Sequence, residues 1–171
     1  MNMRYFLVAI FAVFLALPQT VRSQINRMPE TRDSVSLNVL QAINYAELTR
    51  MVTRTMCKRK PELEQRLPAC SKIAKIPNAV IEKMALPHFN RYVSYADAKS
   101  ALTFWSSPGG IMISKKLLRE IAEGNATLLT DDEKRLLNNF NQSEAGAALS
   151  RLASDREVSQ AMIRAIGAYV L

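Results

Sequence analysis

One pattern limits this chain more than any other. Residues 94–117 and 130–153 align at an offset of 36 positions. Phe104 falls on Phe140, Ser107 on Ser143, Gly110 on Gly146 and Ser114 on Ser150. Ser94 and Asp97 fall on Thr130 and Glu133, Lys99 on Arg135, Ile113 on Leu149 and Lys115 on Arg151. Each copy reads as a capped helix that reaches a Phe, stops at a Ser, and restarts as a second helix with Gly in its first turn. A Gly there lets another helix approach closely. The unit is a helical hairpin or corner used twice, and it lacks the Trp/Leu/Gly/Tyr pattern of tetratricopeptide repeats.

The rest of the chain agrees with an all-α architecture. Aromatic residues make up 7% of the 171 positions and Gly numbers 5, while Ala, Leu, Met, Arg and Lys are plentiful, a mixture that favours helices over a sandwich of strands. No useful strand-like alternation occurs. Asp33 or Ser34 is expected to cap a long helix carrying Leu37, Leu40, Ile43, Met51 and Val52 as far as about Lys58. Pro61 opens a short helix that Pro68 ends, and Pro77 opens another that Pro87 interrupts, leaving a short piece from His88 to Val93. Ser94 caps the helix carrying Ala98, Ala101, Leu102 and Trp105. Ser107 and Pro108 start the next, which Gly124 and Asn125 stop. Thr130 to Glu133 is a full capping box, and Asp155 caps a last helix with Val158, Met162, Ile163 and Ile166. The expectation is a single domain of seven to nine helices over residues 33–171, with 24–32 a loose polar lead-in.

Residues 1–23 read as a secretory signal peptide. Arg4 precedes the uncharged run Phe6–Leu17, and Val21-Arg22-Ser23 offers small residues for cleavage before Gln24. The run is too short to span a bilayer. Export places the chain in the periplasm. There, Cys57 and Cys70 read as a disulfide closing a loop of about 14 residues, which entropy models value near 3 kcal/mol. Two cysteines and the lone His88 do not complete a zinc site.

The formal charge of +8 falls to +6 without Arg4 and Arg22, and all of that excess lies in residues 24–92. It concentrates in Arg50, Arg54, Lys58, Arg59, Lys60, Arg66, Lys72 and Lys75, opposed locally by Glu62 and Glu64. No aromatics interleave these bases, and with export this argues against nucleic acid. An acidic partner is the expected target: a protein surface, lipid head groups or cell-wall carboxylates. Arg side chains would grip carboxylates bidentately from a stapled loop. The alternative is a solvated basic face.

Catalytic chemistry finds little purchase. Asp131, Asp132 and Glu133 serve a helix start. His88 lacks a nucleophile elbow, and an unrecognised enzyme would need it to meet Glu82 or Asp97. Glu120 and Glu123 lack His partners for a metal, and Pro108-Gly109-Gly110 follows a helix rather than a strand, so it is no phosphate loop. Asn125-Ala126-Thr127 matches a glycosylation sequon. The chain is expected to be no enzyme and to need no cofactor.

Phe104-Trp105-Ser106-Ser107-Pro108-Gly109-Gly110 resembles the Phe-Tyr-x-Ser-Pro-x-Gly motif of a family of exported bacterial proteins known as a domain of unknown function. The resemblance covers about residues 78–123, with Trp105 in place of Tyr and a second Gly after Pro108. It implies a small, helical, periplasmic protein with the motif between two helices, and it carries over no catalytic residue. Phe104 is expected to fill the core, Ser107 to cap, Pro108 to start the helix and Gly110 to permit contact. The first functional expectation is a periplasmic interaction protein, in specific form an immunity protein that blocks an envelope-acting toxin such as a cell-wall hydrolase, with a homodimer as one available form. The second is a housekeeping envelope factor that binds lipid, glycan or an outer-membrane client. A protruding basic loop would favour the first; an apolar cavity between helices would favour the second.

Overall fold

The computed structural model describes residues 30–59, 68–123 and 129–169. The signal-peptide reading, the basic residues Lys60 and Arg66, the helix start at Pro61, the stop at Gly124–Asn125 and the sequon at Asn125 lie outside these residues. Nine helices and no strand are present among them: α1 Arg32–Ala42, α2 Tyr45–Arg59, α3 Pro68–Lys72, α4 Asn78–Tyr92, α5 Tyr95–Trp105, α6 Pro108–Glu123, α7 Asp131–Asn141, α8 Glu144–Ser154 and α9 Arg156–Ala168. The all-α fold therefore holds.

α1 is the hub on one side. Val35, Ser36, Val39 and Leu40 are fully buried against α4 and α5. Polar bonds fix its register on α4: Ser36 Oγ donates to Asn90 Oδ1 at 2.7 Å, and Asn90 Nδ2 donates to Asp33 Oδ1 at 2.7 Å. On the other side α4 meets α2, α8 and α9, with Ile81 and Phe89 at zero exposure. Complete burial of a side chain of that size contributes about 1.5–3 kcal/mol.

Three local expectations change. The cap of α1 is Thr31, whose side chain accepts from Ser34 N–H at 3.2 Å, so Asp33 is left free to bind Asn90. The long first helix is two helices. The chain breaks at Asn44, which has φ 55, a left-handed conformation that Asn tolerates better than most residues. Pro87 does not interrupt α4. It sits exposed on the outer face, as does Lys83, the residue one turn earlier whose carbonyl a proline cannot bond. Pro68 begins α3, as Pro at a first helical position does. The disulfide between Cys57 and Cys70 is present, with Cα atoms 6.0 Å apart, and joins α2 to α3.

The two corners of the repeat are built alike. Ser107 Oγ accepts from Gly110 N–H at 3.1 Å and donates to the Phe104 carbonyl at 2.6 Å; Ser143 does the same with Gly146 and Phe140 at the same distances. The glycines make room for the helix that has just ended. A Cβ on Gly110 would lie 2.2 Å from the Phe104 carbonyl oxygen, and one on Gly146 would lie 2.1 Å from that of Phe140. The copies then meet face to face. The Phe104 and Phe140 rings stack at 4.1 Å between centroids and 9° between planes, and Trp105 stands edge-on to both. Phe104 is thus half-buried at this stack rather than central, while Phe140 is buried. A capping box at Thr130 closes in both directions, and its Glu133 also binds Lys116 at 2.7 Å, tying α7 to α6.

Candidate functional site: an apolar cavity between helices

Around the far side of α2 the helices do not close. A cavity of about 500 Å³ lies between α2, α6, α8 and α9, with Trp105 of α5 and Ile43 of the α1–α2 turn at its wall. α2 contributes Tyr45, Leu48, Thr49, Val52, Thr53 and Met56, one face of a helix at three- and four-residue spacing. α6 adds Ser114, Leu117 and Ile121, and α8 adds Leu149, Leu152 and Ala153. α9 closes it with Val158, Met162, Ile163 and Ile166, and Ser159 stands at its edge. Val52 and Ile121 line the cavity and are 58% and 43% exposed, so it reaches the surface between them.

The lining carries no Asp, Glu, Lys, Arg or His. Some of its hydroxyls bond within the protein, but the buried Trp105 indole N–H has no hydrogen-bond partner among the described residues. The Thr49 hydroxyl donates to the Tyr45 carbonyl at 2.9 Å, and Ser114 Oγ accepts from Asn44 Nδ2 at 2.9 Å. Burial raises the Tyr45 phenol above its ordinary value, so it stays neutral throughout the physiological range. Such a wall presents shape and apolar surface, with no acid–base pair to move a proton.

The expected basic surface is divided. Arg50 is buried at 8% exposure; its guanidinium donates to the Ile76 carbonyl and binds Glu47 at 3.3 Å. Lys72 Nζ donates to the carbonyls of Gly167 and Tyr169 at 2.9 and 2.8 Å, closing the C-terminal end of α9. Both are internal fasteners rather than partner contacts. Arg54, Lys58 and Lys75 are exposed. At 100° per residue, Arg54 and Lys58 fall on the face of α2 opposite the cavity. Arg59 ends α2, and Lys60 and Arg66 lie outside the described residues.

His88 is half-buried on α4, and no hydrogen bond among the described residues joins it to Glu82 or Asp97. Glu82 accepts from Gln41, and Asp97 is held by Ser94. The other groups with clear shifts serve helix ends. Tyr92 donates to Asp155, which raises the phenol and lowers the carboxyl, and Asp155 caps α9 through the amides of Glu157 and Val158. The sequence pattern gave the apolar residues Val158, Met162, Ile163 and Ile166 of α9, and Ile43 and Val52, all of which line the cavity. It missed Thr49, Thr53 and Leu48, although Leu48, Val52 and Met56 recur every four residues.

Among its described residues the chain is thus all helical, with an uncharged cavity that opens to the surface. No family model matches it, and neither a curated protein nor a solved structure is similar to it.

Proposed function

We propose that this chain is a non-enzymatic, exported envelope protein that holds a single aliphatic chain of a lipid in the cavity between α2, α6, α8 and α9. The cavity carries this reading. It is open to the surface, lined mainly by branched aliphatic side chains and methionines, free of charged groups, and about 500 Å³ in volume. Each methylene moved from water into such a wall contributes about 0.8 kcal/mol. The periplasmic location follows from the N-terminal sequence pattern and forms part of the proposal.

The test is extraction of the purified protein with organic solvent, with displacement of a fluorescent fatty acid as the companion measurement. Recovery of near-stoichiometric acyl lipid, or saturable probe binding that Leu149→Trp abolishes, is the expected result. A protein that carries no lipid and leaves the probe free would sink the reading.

A second reading, binding of an acidic partner as an immunity protein would, draws on Arg54 and Lys58, exposed together on the outer face of α2. Its measure is capture from the periplasmic fraction. One stoichiometric protein, toxic when exported alone and released by Arg54→Glu with Lys58→Glu, would support it. Capture unaffected by that double change would dismiss it.

A further inference from the structure

The wall of the apolar cavity holds a donor that the protein leaves without an acceptor. Trp105, the last residue of α5 and the chain's single tryptophan, is 8% exposed and borders the cavity. Among the described residues its indole nitrogen is the one buried side-chain polar atom with no hydrogen-bond partner. An indole N–H can only donate, so an oxygen must be brought to it. The ring is held in place: Phe104 and Phe140 meet it edge-on at 4.9 and 5.5 Å between centroids. Two other polar groups of the wall are committed elsewhere. The Thr49 hydroxyl donates to the Tyr45 carbonyl, and Ser114 Oγ accepts from Asn44.

A buried donor without an acceptor is costly, and native proteins seldom keep one without a purpose. The cavity is the open space that Trp105 borders, so a ligand entering it is the source of oxygen that the fold leaves available. The chemistry of the wall selects which oxygen. No Asp, Glu, Lys, Arg or His lines it, so an ionised carboxylate would lose its hydration with no charge to compensate it. An alcohol would bring a second donor in need of an acceptor. An ester carbonyl brings an acceptor alone. We infer that the cavity takes an acyl chain as its ester, and that the ester carbonyl oxygen accepts a hydrogen bond from the Trp105 indole N–H. The inference rests on the lipid reading above and names the polar group that enters with the chain. The nitrogen is covered by its neighbours, so the carbonyl reaches it as wall side chains turn aside; the unbranched Met56 and Met162 are the most adaptable of these.

The experiment is an NMR titration of the folded chain at neutral pH with methyl decanoate, with sodium decanoate and n-tridecane as parallel probes. n-Tridecane matches the ester in non-hydrogen atoms and lacks its oxygens. With one tryptophan in the chain the indole N–H is a single resonance, and the methyl groups of Leu149 and Ile163 report occupation of the cavity independently. Methyl decanoate is expected to shift those methyls saturably, to move the indole proton downfield, and to bind about tenfold or more tighter than decanoate. n-Tridecane is expected to shift the methyls without the downfield move. Trp105→Phe keeps an aromatic ring and removes the donor. It is expected to narrow the preference for methyl decanoate over n-tridecane by about fivefold to tenfold, a ratio in which the change of ring size cancels. Methyl shifts with no downfield move of the indole proton, decanoate binding as tightly as its ester, or an unchanged ratio in Trp105→Phe would each overturn the inference and leave the lipid reading standing. Methyl groups that none of the three probes moves would overturn both.

Discussion

At the corners, a single hydrogen atom decides whether two helices can meet. Gly110 and Gly146 are each pressed against the carbonyl end of the preceding helix, a backbone neighbour that cannot swing aside. Gly146→Ala is expected to lower the unfolding free energy by about 1–3 kcal/mol or more, read by urea denaturation. Gly167→Ala is the contrast. Its new Cβ would meet nothing closer than 3.6 Å, and with helix propensity in its favour it is expected to be neutral or stabilising by up to about 1 kcal/mol. Equal losses at both positions would show that the clash is not the cause. The caps and glycines of the corners were legible because each acts within six residues. The stack of Phe104 on Phe140 was not, since it joins positions 36 apart and depends on how the two corners are brought together.

Between elements, long-range ties do what propensity cannot. The Cys57–Cys70 bridge joins α2 to α3, and its loop is expected to be worth about 3 kcal/mol. Replacing both cysteines with serine should lower the thermal midpoint, and a thiol titration of the unfolded, unreduced protein should find no free thiol. The α6–α7 tie is electrostatic and is read by pH. The Lys116 ammonium first, and then the Thr130 amide, hold the Glu133 carboxyl below its ordinary range. A carboxyl lowered by folding adds stability that is present above its unfolded pKa and is lost as pH falls through the folded value. Acid below the ordinary glutamate value of about 4.3 should therefore destabilise the native chain more steeply than Glu133→Gln, in unfolding measured between neutral pH and pH 3. Overlapping profiles would remove Lys116–Glu133 as the cause.

For the whole molecule, the open space beside α2 is the main consequence of the packing. Filling it should stabilise the protein while removing any ligand. Leu149→Trp is expected to hold or raise the thermal midpoint and to abolish displacement of a fluorescent fatty acid. A loss of stability together with unchanged probe binding would mean that the space is not where the probe sits.

The amino-acid sequence by itself determined the helical class, the repeated corner and its serine caps, the capping box at Thr130, the cap at Asp155 and the pairing of two cysteines. Each of these is set by neighbours within a few turns of chain or by the lack of any other cysteine. The tertiary structure decided the rest. Arg50 and Lys72 look like solvated bases in a basic segment, yet they satisfy carbonyls 26 and 95 residues away. Thr49 and Thr53 look polar, yet they wall an apolar cavity, because a helix can turn a threonine hydroxyl back onto its own backbone, as Thr49 does. The cavity exists only where four helices from separate stretches fail to close, and no local pattern of residues encodes the distance between them.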